Sequence, residues 1–302
     1  MATAIGTAVV MCLRGTSRTS GRGGLVVSDS AAAVREFDRH ERDRWKGRAS
    51  AYEASVGALC AFTAPLVLDA AGVAAGWRVI DAGTGPGTLA RLAAERGALV
   101  VALDGERGML ELARTHLASA VFCEAVLPRL PVRGGWADAA VANFVINHLG
   151  DPPAGMAEAV RVVRSGGKVA VTVWPSPPPA LQRLWGEAFD AAGVTRPEGL
   201  PRVPEDRNFA RTPRGVTDLL CGSGLRDVDC ETITWSHRTD LESWWSGPAG
   251  GIGTLGVLMR GQPAETVAAI RREYQRLANG YLNSDGTLAL PTAALLAVGT
   301  VP

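Results

Sequence analysis

Charge of one sign is missing from this chain: 31 Lys and Arg stand against 30 Asp and Glu, a formal net charge of +1. Proteins that track nucleic-acid phosphates normally present a basic face, so this balance gives no reason to expect such a partner. The five cysteines (Cys12, Cys60, Cys123, Cys221 and Cys230) form no C-x-x-C pair and no His/Cys cluster. That pattern suggests neither a zinc site nor a disulfide framework, and the expectation is no metal and free thiols in a reducing cytoplasm. Long apolar runs are also lacking. Within the first 13 residues only Ala8–Leu13 is apolar, too short to span a bilayer and without the basic start of a signal peptide. No membrane partner is expected. What remains is an ordinary globular composition, 47% apolar and 20% charged, over 302 residues. That length suffices for a core domain and a sizeable elaboration.

The texture changes along the chain. Residues 1–34 read as a flexible extension, with Ser, Thr, Arg and Gly crowding Arg14–Gly24. Residues 35–76 read as a helical lid, with Trp45, Ala49 and Tyr52 at helical spacing. From Trp77 short apolar strands alternate with helical patterns: Arg78–Ala82, Leu99–Leu103, Ala120–Cys123, Ala139–Val145 and Lys168–Trp174 are the strands. Strict alternation at 20–30 residues per unit argues for a parallel sheet covered on both faces. Gly97 and Gly166–Gly167 are placed to end the preceding helices in a left-handed conformation. A core over 77–175 is therefore expected, with a lid insertion over 176–212, core again over 213–238, a helical lid insertion over 239–290 and a final core strand over 291–302. The insertions hold several aromatics, among them Trp185, Trp244 and Trp245, and suggest a lid over an apolar or aromatic ligand.

The chemistry centres on Val79-Ile80-Asp81-Ala82-Gly83-Thr84-Gly85-Pro86-Gly87. A strand ends at Asp81, glycines follow at alternate positions and a helix begins at once. Glycine lets the chain turn sharply and lets a ligand approach the main chain with no Cβ in the way. In an open α/β sheet, ligands bind at this carboxyl end of the strands. A dinucleotide-binding turn wants G-x-G-x-x-G, whereas this turn is G-x-G-x-G with Thr at position 88. Asp81, two residues before the first glycine, would repel a pyrophosphate and attract a cationic amino group. Asp104, ending the second strand, can accept hydrogen bonds from two ribose hydroxyls. Together these favour an adenosine ligand with a cationic amino-acid tail.

The run resembles the first motif of the class I S-adenosylmethionine-dependent methyltransferases, of the small-molecule type related to the ubiquinone and menaquinone-biosynthesis enzymes. The likeness continues through Leu103-Asp104-Gly105, Met109-Leu110, Leu130-Pro131, Ala137-Asp138-Ala139-Ala140-Val141, Val145-Ile146-Asn147-His148-Leu149 and Ser165-Gly166-Gly167-Lys168-Val169, across Trp77–Trp174. The resemblance implies an α/β fold: a Rossmann-like, seven-stranded, mostly parallel sheet with helices on both faces and a helical lid. It implies S-adenosyl-L-methionine as cofactor and S-adenosyl-L-homocysteine as product. Asp81, Gly83, Thr84, Gly85 and Gly87 would then hold the methionine moiety and its amino group, and Asp104 the ribose. Gly105, Met109, Val126 and Leu127 would flank the adenine, and the main chain of Asn143 would lie near the methionine tail. Family members often carry Asp where this chain has Val126, so adenine recognition would fall to the Leu127 amide and apolar contacts.

For the catalytic step His148, Tyr52, His237 and Tyr281 are the candidates to assist proton removal. His148 follows the fourth strand at the edge where substrates enter, yet a hydrogen-bonded structural histidine is the more ordinary reading of that position. The acceptor is expected to be a small, aromatic or apolar metabolite with an O, N or electron-rich C nucleophile, as in natural-product tailoring. The resemblance allows a homodimer. A dinucleotide-dependent oxidoreductase and a non-catalytic S-adenosylmethionine-binding subunit stay open as alternatives. Asp151-Pro152-Pro153 lacks the aromatic residue of base-flipping methyltransferases and reads as a helix start.

Overall fold

A computed structural model describes residues 29–195 and 199–302. Most of the extension expected over 1–34 lies outside the described residues; its last six residues do not, and they are helical. Helix α1 runs Asp29–Trp45, followed by α2 (Ala49–Glu53), α3 (Val56–Ala61) and α4 (Ala64–Ala70). The core then alternates β1 (Arg78–Ala82), α5 (Thr88–Glu95), β2 (Leu99–Asp104), α6 (Arg107–His116), β3 (Val121–Glu124) and β4 (Ala137–Asn143). It continues with α7 (Pro152–Val162), β5 (Val163–Val173), α8 (Ala180–Ala191), α9 (Pro213–Gly222) and β6 (Arg226–Thr239). Helices α10 (Leu241–Ala249), α11 (Gly253–Arg260) and α12 (Ala264–Ala278) precede the last strand, β7 (Leu288–Thr300).

The seven strands form one sheet in the order β3-β2-β1-β4-β5-β7-β6. β1 to β5 pair in parallel, and β7 runs antiparallel to both β5 and β6. The order reverses between β1 and β4, which opens a crevice at their carboxyl ends. One face of the sheet buries Leu68, Leu89 and Ala90 of α4 and α5. The other buries Met156 and Val162 of α7 and Leu219 and Leu220 of α9. The near-continuous apolar runs of the central strands follow from this double cover.

Local signals explain most boundaries. Asp151 caps α7 by accepting from the Ala154 amide at 3.0 Å, with proline at the first helical turn. Gly97, at φ +83°, ends α5 as its spacing foretells. Gly166 is left-handed as well, at φ +74°, but it lies inside β5, because α7 already stops at Val162 and Val163 pairs with Ala137. β4 ends two residues earlier than the apolar pattern suggests. Phe144 there is left-handed, at φ +58°, with its amide donating to the Thr172 hydroxyl at 2.9 Å. The second insertion is shorter than 239–290, since residues 288–290 already belong to β7. Its aromatics do not line an open lid. Trp185 of α8 stacks on Tyr274 of α12 with centroids 4.6 Å apart and packs beside Trp244 and Trp245. The two insertions thus bury their rings against each other, which removes more apolar surface from water than facing a cavity would.

Candidate active site

The turn after β1 is built by three left-handed glycines, Gly83 (φ +73°), Gly85 (φ +55°) and Gly87 (φ +83°). Gly83 has the least room: a Cβ there would fall 2.4 Å from Val145 Cγ2. Gly87 would place one 2.9 Å from Ala113 Cβ, so α5 and α6 could not approach as they do. At Gly85 a Cβ would meet nothing closer than Tyr52 Cε1 at 3.9 Å, which leaves its backbone open to a ligand. Gly83→Ala is therefore expected to cost about 1–3 kcal/mol of stability from backbone strain and crowding. Chemical denaturation measures this, and an unchanged midpoint would mean the turn tolerates a side chain.

Asp104 closes the turn from the next strand. Its carboxylate accepts from the Gly85 amide at 2.9 Å and the Glu106 amide at 2.8 Å. Each oxygen keeps a further lone pair, and the side chain lines a cavity of about 330 Å³ at the sheet's crevice. Gly105, Met109, Val126 and Leu127 line the same cavity. A Cβ on Gly105 would lie 2.3 Å from Val126 Cγ1, so only glycine lets this apolar slot form. Val126 is exposed at 41%, an apolar side chain facing open space where a flat ring would cover it.

Asp81 sits beneath the turn, 1% exposed, on a smaller cavity bounded by Tyr52, Gly83, Gly85 and Asn143 among others. The Thr84 hydroxyl donates to it at 2.6 Å, so Thr84 serves Asp81 and does not line the larger cavity. Burial pushes the Asp81 carboxyl up to about 7, with the Asp104 charge adding to the rise and the Thr84 hydrogen bond opposing it. The folded state therefore holds this proton more tightly than the unfolded chain, whose carboxyl titrates near 3.8. The stability this contributes is present at low pH and is lost as pH rises toward about 7. Asp81→Asn should raise the melting temperature of the cofactor-free protein more at pH 8 than at pH 5. Equal gains at both would contradict the burial of a charge at this position.

Asn143 ties the sheet to the N-terminal helices. Its amide nitrogen donates to the Cys60 carbonyl at 2.9 Å, while its oxygen accepts from Thr63 Oγ1 at 2.7 Å and Thr172 Oγ1 at 2.6 Å. These three hydrogen bonds commit the side chain to packing. Tyr52 lines both cavities and its hydroxyl is engaged with Cys60. Burial, then the neighbouring Cys60 and Asp104, hold the phenol well above its ordinary range. A phenol held so high is a poor proton acceptor, and its place between the two cavities suits it to positioning.

His148 stands in a 3₁₀ turn, Ile146–His148, after β4. Its Nδ1 lies 2.8 Å from Glu41 Oε2, and its ring meets Trp45 edge-on at 5.3 Å. Both residues of the pair line the larger cavity. Glu41 is 5% exposed, and burial alone would raise its carboxyl. The hydrogen bond from His148, with the charges of His148, Arg44 and His40, outweighs burial and holds it below its ordinary range. Glu41 is a site residue that reading the sequence missed. The charged stretch Arg35–Arg48 gives it no mark, although Asp38, Glu41 and Trp45 share one helical face and all line the cavity.

The two remaining catalytic candidates are not brought to this place. His237 is 6% exposed within the β6–β7 pairing, opposite Leu290 and against the Trp244 ring, and burial lowers its pKa. Tyr281 packs on the cluster formed by α8, α10 and α12. Neither lines the cavity. His237 ends a strand in the sequence pattern and Tyr281 sits late in a helical stretch, but the helical body they border is a packed core.

A family model described as a methyltransferase domain matches residues 80–171. A demethylmenaquinone methyltransferase of Beutenbergia cavernae is 30% identical over 175 residues, covering 55% of this chain and 73% of that one. A malonyl-[acyl-carrier protein] O-methyltransferase of Salmonella typhimurium is 37% identical over 108 residues, 35% of this chain and 43% of that one. The chain thus spans less than half of the Salmonella relative. The fold is shared with the YcgJ protein of Bacillus subtilis, at a TM-score of 0.51 and 16% identity, over 79% of this chain and 97% of that one. The chain belongs to the class I S-adenosylmethionine-dependent methyltransferases. S-adenosylmethionine is its cofactor, and the glycine turn, the Asp104 carboxylate and the Gly105–Val126 slot fit the methionine, ribose and adenine of that molecule. Among the described residues no helix is long and apolar enough to cross a membrane.

Proposed function

We propose that the protein methylates a small aromatic or apolar molecule at an oxygen or nitrogen whose proton passes to His148. The observation that carries this reading is one continuous cavity. Asp104, Gly105, Met109 and Val126 line its cofactor end, while Trp45, Phe144, Trp174 and the His148–Glu41 pair line the rest. S-adenosylmethionine, when bound, supplies a methyl group already activated by its sulfonium. The protein's task is then to align the acceptor, keep water out and accept a proton.

Each task has residues suited to it. Phe144 stacks on Trp174 with ring centroids 3.8 Å apart, a rigid apolar wall against which a flat acceptor can lie. Alignment of this kind is worth up to about 7–11 kcal/mol of barrier in well-oriented systems. Glu41, buried and held ionised, fixes the His148 ring through Nδ1 and stabilises the imidazolium formed when His148 takes the acceptor's proton. Residues Asp81, Thr84, Asn143 and Tyr52 shape the methionine end of the site, and Tyr52 also screens it from solvent.

The balanced charge supports a small-molecule acceptor over a nucleic acid. The described cysteines, Cys60, Cys123, Cys221 and Cys230, are all unpaired, in keeping with the cytoplasm. A tailoring step on a natural product suits so apolar an acceptor end. Incubation with methyl-labelled S-adenosylmethionine and a library of phenols, amines and indoles tests the reading. Label in at least one acceptor is expected; cofactor binding with no transfer to any of them would favour a non-catalytic binding subunit.

A further inference from the structure

One feature at the cavity's rim plays no part in the chemistry above. The chain between α10 and α11 passes through Gly251 and Ile252 to Gly253, the first residue of α11, and the last two of these line the cavity. Three arginines gather on this turn. Arg260 Nη1 lies 2.0 Å and Arg48 Cζ 3.0 Å from the point a Cβ on Gly251 would occupy, which sets the two guanidiniums side by side. Arg44 Nη2 lies 3.8 Å from the corresponding point on Gly253. Arg44 is neutralised by Glu41. Arg48 and Arg260 have no carboxylate partner among the described residues, and Arg260 Nη1 donates to the Gly251 carbonyl at 3.2 Å. Arg48 Nε is buried without a hydrogen-bond partner.

Two adjacent guanidiniums repel, and partly removing them from water adds to the cost. Burial, and after it the Arg48 charge, lowers the pKa of Arg260. An anion between them relieves both effects, and planar guanidiniums match the two oxygens of a carboxylate or phosphoryl group. Because Gly251 has no side chain, the two guanidiniums occupy the place its Cβ would take, beside Ile252 and Gly253 of the cavity lining.

We infer that Arg48 and Arg260 form an anion subsite, and that the acceptor carries a carboxylate or phosphoryl group seated there while its nucleophile reaches into the cavity. This rests on the cavity being the acceptor site of a methyltransferase. The test uses the full chain loaded with S-adenosylhomocysteine and titrated with 4-hydroxybenzoate, phenyl phosphate and the neutral methyl 4-hydroxybenzoate. At least one anion should bind tenfold or more tightly than the ester, the stronger one naming the preferred group. Arg260→Gln, at an exposed position, and Arg48→Gln should each erase that preference while leaving S-adenosylhomocysteine affinity unchanged. If Arg48→Gln fails to fold, Arg260→Gln decides alone. An ester bound as well as both anions, no binding of either anion, or a preference that survives Arg260→Gln would overturn the subsite while leaving the cofactor assignment standing. Failure to bind S-adenosylhomocysteine would instead remove the reading beneath it.

Discussion

Asp104→Ala should weaken S-adenosylmethionine binding by a hundredfold or more while the protein still folds. Two ribose hydroxyls would each lose a charged acceptor, at about 1.5–3 kcal/mol apiece. The same carboxylate holds the Gly85 and Glu106 amides, so the glycine turn loses its closing contact as well. Because those amides face the crevice, water can replace the lost acceptor, and the stability cost should be small beside the binding cost. Calorimetry on the variant, with a melting curve as control, checks both. Affinity within a few-fold of the parent would move the ribose site elsewhere.

His148→Gln should lower the rate of methyl transfer by a hundredfold or more, within the range of about 10²–10⁴ that a positioned base supplies. Glu41→Gln should come close to that loss, because the imidazole then has neither a fixed ring orientation nor a counter-charge. The two act as a unit, so the double variant should be little worse than either single one, a non-additivity that separate structural roles would not produce. Cofactor affinity should stay within a few-fold, since neither residue touches the Asp104 end of the cavity. Additive losses, or rates unchanged in His148→Gln, would leave the proton to water. Glu41 also bonds the α1 helix to the loop after β4, alongside Asp38 and the Gly150 amide at 2.8 Å. A melting curve for Glu41→Gln therefore accompanies the kinetics.

The cofactor half of this site was legible because its requirements are local. Glycines at alternate positions, an acidic strand end and a following helix occupy one short run, so Asp81, Gly83, Gly85 and Gly87 stand together locally, and pairing of β1 with β2 brings Asp104 to them. The parallel sheet was readable for the same reason, as each strand and helix carries its own period. The acceptor half is assembled from distant parts of the chain. Glu41 meets His148 only because α1 packs across the loop after β4, and no spacing records that contact. His237 misled because a residue at a strand end looks exposed until the partner strand and the Trp244 ring that bury it are placed, and Tyr281 because no spacing records that it packs on the aromatic cluster of the insertions. Trp185, Trp244 and Trp245 misled in the same sense, since composition cannot distinguish a ring facing a cavity from one facing another ring. Thr84 shows a smaller version: its place in the motif is clear, but its hydroxyl turns inward to Asp81.

The Gly83–Gly87 turn and Asp104 suit S-adenosylmethionine and not a dinucleotide. Titration calorimetry of the full chain with S-adenosylmethionine, repeated in the presence of NADH or NADPH, tests it most directly. One-site binding of S-adenosylmethionine that neither dinucleotide displaces is the expected result. Binding of a dinucleotide at this site, with none of S-adenosylmethionine, would contradict it.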